Sequence, residues 1–138
     1  MPLPWLAVTH QRLNPEGLLQ PQTYSQVVVS AAGRMVFVAG QVALDAEGEI
    51  VAKGDLASQA RQAFANLARA LAGAGAGPAD VTKLTIYVVA YSPEHLPAIN
   101  EARSAVFGDR LPASTLVGVE ALARPEFLIE VEAIAVLA

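Results

Sequence analysis

Two acids, Glu130 and Glu132, stand two residues apart in an otherwise apolar run from Leu128 to Leu137. On an extended strand they project to the same side. Burying two carboxylates on one face is costly unless they are hydrogen-bonded or open to a cleft. The pair therefore marks either a solvated or structural face or the wall of a site. Ser114-Thr115 supplies two hydroxyls, but no histidine lies near them in sequence and there is no Gly-x-Ser-x-Gly elbow, which argues against a serine hydrolase. The two histidines, His10 and His95, are far apart and lack a His-x-x-x-His spacing, so no metal site is expected. Cysteine is absent, which excludes a thiol nucleophile, disulfides and Cys-held zinc. Gly73-Ala74-Gly75-Ala76-Gly77-Pro78 is as glycine-rich as a nucleotide loop. It follows a helical segment instead of joining a strand to a helix, so it reads as a C-cap and loop.

The elements that must position these groups can be read from periodicity. Residues 1–21 form an irregular lead-in rich in Pro, Asn and Gly. Tyr24–Ser30 and Met35–Ala39 are β-type runs, and Gly33 between them suggests a hairpin whose turn uses φ > 0. Asp45-Ala46-Glu47-Gly48 is a second turn. Asp55 is a good N-cap, and Leu56, Ala60, Phe64, Leu67 and Leu71 follow at helical spacing. Arg61, Gln62 and Arg69 fall off that stripe. Thr82–Tyr91 is a strand, with Leu84, Ile86 and Val88 alternating against Thr85, Tyr87 and Val89. Ser92-Pro93 opens a second helix reaching about Phe107, its regular part beginning near Pro97. Strands around Thr115–Glu120 and Leu128–Leu137 complete a β-β-α-β-α-β-β order. The expectation is one α+β domain spanning residues 1–138.

Composition narrows the setting. With 138 residues, 54% of them hydrophobic and only 16% charged, a lone monomer would lack charge to cover its surface, so a homo-oligomer is expected. The last strand is apolar on both sides, with Ile134 and Val136 beside Glu130 and Glu132, and two helices can cover only one sheet face. The net charge is −4 with scattered basic residues, which argues against nucleic acid as a partner. No run approaches the ~18 apolar residues that span a bilayer. Met1-Pro2-Leu3-Pro4-Trp5 lacks the features of a signal peptide, and a cytoplasmic, non-membrane protein is expected.

Several segments, in order and over nearly all the chain from Tyr24 onward, resemble the RidA/YjgF (reactive intermediate deaminase) pattern. They are Tyr24-Ser25-Gln26, preceded by Thr23 where the family has proline, and Val38-Ala39-Gly40-Gln41. Gly54-Asp55 through Asn66-Leu67, with Gln59 and Asn66, continue the match, as do Ala74-Gly75 and Asp80-Val81-Thr82-Lys83. Ile99-Asn100 and Glu130-Val131-Glu132-Ala133-Ile134-Ala135-Val136 complete it. The resemblance implies a chorismate-mutase-like α+β fold, assembled as a homotrimer with ligand clefts between subunits. Family deaminases hydrolyse reactive enamines and imines to 2-keto acids and ammonia with no metal or organic cofactor.

By the same resemblance, Glu130 orients the attacking water, and Tyr24, Gly40, Asn100, Ser114 and Thr115 line the substrate cleft. Read from the residues alone, Tyr24 is an amphipathic sheet residue, Asn100 an exposed helix residue and Gly40 a strand-end glycine. The family's carboxylate clamp is an arginine in a Pro-Ala-Arg-Ser-Thr segment, whereas this chain reads Leu111-Pro112-Ala113-Ser114-Thr115. Losing a bidentate charge-assisted contact of about 1.5–3 kcal/mol weakens binding by ~10–100-fold. Activity on 2-imino acids is thus in question at this position. Arg103, Arg110 and Arg124 are the substitutes on offer, and each reads first as a solvated surface arginine. Two function classes remain: a cofactor-free hydrolase of a small imine or enamine metabolite, and a non-catalytic trimer that binds a small metabolite or a partner protein. Ribonuclease activity, attached to some relatives, is disfavoured by the acidic balance and by the lack of a His/Lys acid–base pair.

Overall fold

The computed structural model describes residues 10–138; the segment Met1-Pro2-Leu3-Pro4-Trp5, from which the absence of a signal peptide is inferred, lies outside them. Two short strands, β1 (Gln11–Leu13) and β2 (Val27–Val29), pair antiparallel with each other. This corrects two expectations. The lead-in is not wholly irregular, and Tyr24–Ser30 does not form a hairpin with the run that follows. Gly33 does not adopt a positive φ either. A side chain there would collide with the Leu137 carbonyl, so its smallness serves a close approach to the last strand.

The main sheet contains β3 (Arg34–Gln41), β4 (Val81–Val89), β5 (Ala113–Val119) and β6 (Ile129–Leu137) in the order β3-β6-β4-β5. Only the β4–β5 pair is parallel. Their connection is the crossover through helix α2 (Leu96–Phe107), as a parallel pair requires. Helix α1 (Leu56–Gly73) links β3 to β4. Pro93–His95 is a 3₁₀ turn, so α2 begins at Leu96 with Pro97 in its first turn, where a missing N–H costs nothing. The α+β architecture therefore stands as expected.

Both helices lie on one face of this sheet. The α1 stripe of Ala60, Phe64, Leu67 and Leu71 is fully buried, against Leu84, Ile86 and Val88 of β4 and Ile129, Val131, Ala133 and Ala135 of β6. Phe64 meets Phe107 of α2 edge to face, with ring centroids 6.4 Å apart. The opposite face carries Met35, Phe37, Lys83, Thr85, Tyr87, Thr115, Val117, Glu130, Glu132 and Ile134, by the cross-strand register. Phe37 is 70% exposed and Met35 58%. In the described chain, then, one sheet face is covered and the other bare.

Two polar residues of the family-like helix segment prove to be framework. Gln59 is fully buried; its Nε2 donates to the carbonyls of Ala52 and Glu126, and its Oε1 accepts from Leu128 N–H at 2.9 Å. Asn66 Nδ2 donates to the carbonyls of Val42 and Leu44, both at 2.9 Å, holding the chain that leaves β3. Gln59→Ala strands the Leu128 N–H and two carbonyls beside a new cavity. Its expected cost is about 2–3 kcal/mol in urea unfolding; a loss below about 0.5 kcal/mol would mean that these bonds are replaced by water without penalty.

Candidate functional site

Strand alternation divides the singled-out residues into two groups. Glu130 pairs with Tyr87 across the β4–β6 ladder, and Glu132 pairs with Thr85, so both acids face the bare side. Thr115, opposite Thr85 on β5, faces the same way, and Lys83 Nζ donates to its Oγ1 at 2.6 Å. Ser114 is the neighbour of Thr115 and pairs with the buried Leu84, so it faces the helices. The structure therefore brings Glu130 and Gly40 together on one face and Tyr24, Asn100 and Ser114 together on the other. It does not join the two groups within one chain.

On the bare face Gly40 sits at a β-bulge, where the β3–β6 register shifts between Val38 and Gln41. A Cβ on Gly40 would lie 2.6 Å from Glu130 Oε1 and Cδ. The bulge and the missing side chain thus make the space that the Glu130 carboxyl occupies. Partial burial, reinforced by the like charge of Glu132, pushes the Glu130 pKa above its ordinary 4.5. Tyr87 donates its hydroxyl to Glu132 Oε1 at 2.6 Å, and that bond raises the phenol's pKa. Glu132 is thereby tied to the framework, and Glu130 is the acid left facing Gly40.

The second group lines a pocket of about 230 Å³ formed by Thr23, Tyr24, Leu96, Asn100, Arg103, Ser114 and Leu116. Ser25 places Tyr24 there. It is buried, forms a parallel bridge to Ala113, and is anchored beside β5 by Ser25 N–H donating to the Pro112 carbonyl at 3.0 Å. Its Oγ donates to the Leu111 carbonyl. Asn100 and Arg103, three residues apart, lie on one face of α2.

Arg103 corrects the surface reading. It is only 4% exposed and lies with Ile99, Ala102 and Phe107 on the buried side of α2. Its Nη1 donates to the Thr23 carbonyl at 3.1 Å, while its Nε is buried without a hydrogen-bond partner among the described residues. Burial lowers its pKa, with the neighbouring Tyr24 opposing the effect. Asn100 Oδ1 is likewise buried and unpartnered among the described residues. The sequence held a signal for Arg103 that composition obscures. It falls four residues from both Ile99 and Phe107, on the apolar stripe. Arg110 and Arg124 are exposed as expected, Arg110 beside His10 and Arg12, Arg124 over the Phe127 ring at 5.5 Å.

The histidines have structural tasks. His10 Nδ1 accepts from Ala31 N–H at 2.9 Å and its Nε2 bonds the Asp80 carbonyl at 3.0 Å. His95 Nδ1 accepts from Ser92 N–H at 3.1 Å. Among the described residues no cluster of His, Asp or Glu is arranged to hold a metal ion, and no helix is long and apolar enough to cross a membrane.

The two-helix α+β layer thus carries a pocket holding Arg103 at its sheet edge and a carboxylate seated over a glycine bulge. The family profile described as Endoribonuclease L-PSP matches residues 17–137. A RutC family protein of Pyrococcus abyssi is 41% identical over 81% of this chain and 84% of its own length. A 2-iminobutanoate/2-iminopropanoate deaminase of Dermatophagoides farinae is 31% identical over 83% and 85%. The crystal structure of YyfB from Yersinia pestis, described as a protein of unknown function of the conserved Rid family, superposes with a TM-score of 0.89. It is 43% identical over 94% of this chain and all of that one. The chain belongs to the Rid (YjgF/RidA) family.

Gly40→Ala tests the acid's seat. The colliding atoms are the movable end of Glu130, so the expected change in stability is under about 1 kcal/mol by thermal unfolding, with the Glu130 carboxyl displaced in a crystal structure of the variant. An unmoved Glu130 would show that the bulge does not set its position.

Proposed function

We propose that the chain is a cofactor-independent hydrolase of small imines or enamines, acting at a cleft between copies of itself in a cytoplasmic homotrimer. The observation that carries this reading is the division of the site. A carboxylate seated over Gly40 and a polar pocket around Asn100 and Ser114 lie on opposite faces of one sheet. A second copy can bring its bare face to the first copy's pocket, and docking would cover Phe37 and Met35 as well. The deaminase name of a relative 31% identical supports the reaction class.

In this reaction Glu130 accepts a proton from water as the water oxygen bonds to the imine carbon. The C=N π electrons pass to nitrogen, which takes that proton from Glu130 to give a carbinolamine. Glu130 then accepts the carbinolamine's hydroxyl proton and delivers it to nitrogen as the C=O bond forms and the C–N bond breaks, releasing ammonia. An enamine first gains a proton at carbon. A glutamate whose pKa lies above 4.5 is a stronger base than an ordinary carboxylate, so it takes up the water's proton more readily and stays protonated to higher pH. RNA cleavage is less well supported: the net charge is −4, and both histidines are engaged with backbone groups.

The reading is tested with 2-iminobutanoate generated in situ by an amino-acid oxidase, following ketone and ammonia release. Glu130→Gln should lower turnover by at least ~100-fold. Unaltered protein that releases product no faster than buffer alone would leave the metabolite-binding alternative in its place. The base form of Glu130 is lost as pH falls through its raised pKa, so the acid limb of the rate profile should lie above 4.5. Glu132→Gln removes a like charge and should move that limb to lower pH.

The assembly is tested separately. Sedimentation should give a species of three 14.4 kDa chains. Phe37→Glu should dissociate it and abolish turnover together; a monomer with full activity would refute the shared cleft.

A further inference from the structure

We propose that Arg103, reaching the pocket from α2, is this chain's carboxylate clamp, with Asn100 beside it as the acceptor for the substrate's N–H. The proposal rests on the small-imine reading above and adds to it a substrate class: a compact acid with the nitrogen on the carbon next to the carboxylate.

An arginine that is only 4% exposed normally has an anionic partner, because an unpaired buried charge is costly. Arg103 has no such partner among the described residues. Its one hydrogen bond among them goes to a neutral carbonyl, and the titratable side chain beside it is a phenol, Tyr24, not a carboxylate. Residues 1–9 contain no Asp or Glu, so that segment cannot supply a carboxylate side chain. The anionic partner that the described residues of one chain do not supply is one that a carboxylate ligand would bring.

The unfilled valences point the same way. Nη1 is committed to Thr23, and Nε is the buried donor left without a partner. Guanidinium nitrogens sit in a fixed fork that matches a carboxylate, so a committed Nη1 orients the Nε side rather than removing it from use. Asn100 Oδ1, one helical turn away on the same face, is an unpartnered acceptor. An isolated anion site would have no use for that oxygen, whereas an imine or amine N–H would satisfy it. Ser114 is small where the family pattern has arginine, so the opposite wall is open for the guanidinium from α2. Leu96 and Leu116 give the rest of the pocket an apolar lining suited to a short aliphatic tail.

The test is equilibrium binding of 2-oxobutanoate, the unreactive ketone acid, to the full chain by calorimetry, with 2-oxobutanamide as the uncharged control. The acid should bind at least ~10-fold more tightly than the amide. Arg103→Met should weaken the acid by ~10–100-fold and leave the amide unchanged, and Ser114→Arg in that background should restore part of the loss. Arg103→Lys keeps the charge but loses the fork, and should fall between. Equal affinity for acid and amide in the unaltered protein would overturn the clamp, as would a folded Arg103→Met variant that binds the acid normally. Should Arg103→Met fail to fold, the acid-against-amide comparison and the lysine variant decide alone. Arg103-dependent binding without turnover would overturn the hydrolase reading and keep the clamp; turnover indifferent to Arg103 would do the reverse.

Discussion

A strand sends successive side chains to opposite faces of its sheet, and every other feature of this molecule is arranged around that constraint. Ser114 and Thr115 are adjacent in sequence, yet one faces the helices and the other the bare side. Glu130 shares the bare side with Glu132, Tyr87 and Lys83. Helices α1 and α2 satisfy the apolar demand of one face through Phe64, Leu67, Ile99 and Phe107 and leave Phe37 and Met35 of the other uncovered. In the proposed assembly one event, the docking of another copy, would both bury the second face and complete the divided site.

The buried polar groups fall into matched and unmatched ones; Arg12 Nε, near His10, is unmatched among the described residues as well, but only one place gathers two such atoms. Gln59, Ser25 and His10 bond backbone carbonyls or N–H groups, and half-buried Asn66 donates to two carbonyls while accepting from Gln62 Nε2. Each fixes a loop that has no ladder of its own. Arg103 Nε and Asn100 Oδ1 are unmatched among the described residues, and they lie in the same pocket. An unpaired buried donor and an unpaired buried acceptor each cost about 1–3 kcal/mol. Two such costs side by side are tolerated most simply where a ligand relieves both.

How much of this was legible in sequence depended on whether the signal was periodic or spatial. The α1 stripe from Ala60 to Leu71 and the alternation of β4 and β6 gave the covered face directly, and Pro97 marked the start of α2. No hairpin forms at Gly33, because this glycine makes room for the Leu137 carbonyl instead of turning the chain. Strand β1 went unseen because three residues carry no period. Gly40 and Glu130 could be paired only by resemblance, since the bulge that seats the carboxyl is a property of two strands distant in sequence. Arg103 was missed for a different reason: its charge suggested solvent, although its spacing from Ile99 and Phe107 placed it on the buried stripe.

That spacing bears on how a site of the proposed kind could do without an arginine on β5. A ligand's carboxylate responds to where a guanidinium is in space, not to which element carries it. The pocket has two walls, β5 and α2, and the arginine side chain is long enough to cross from either. Placing the cation on α2 requires the facing position on β5 to be small, and Ser114 meets that requirement. It also seats the cation among Ile99, Ala102 and Phe107, where its lower exposure to water strengthens any charge-assisted bond it makes. Ser114 read as a lost clamp when the strand was considered alone. Considered with the helix facing it, the same residue is the space that a clamp from the other wall needs.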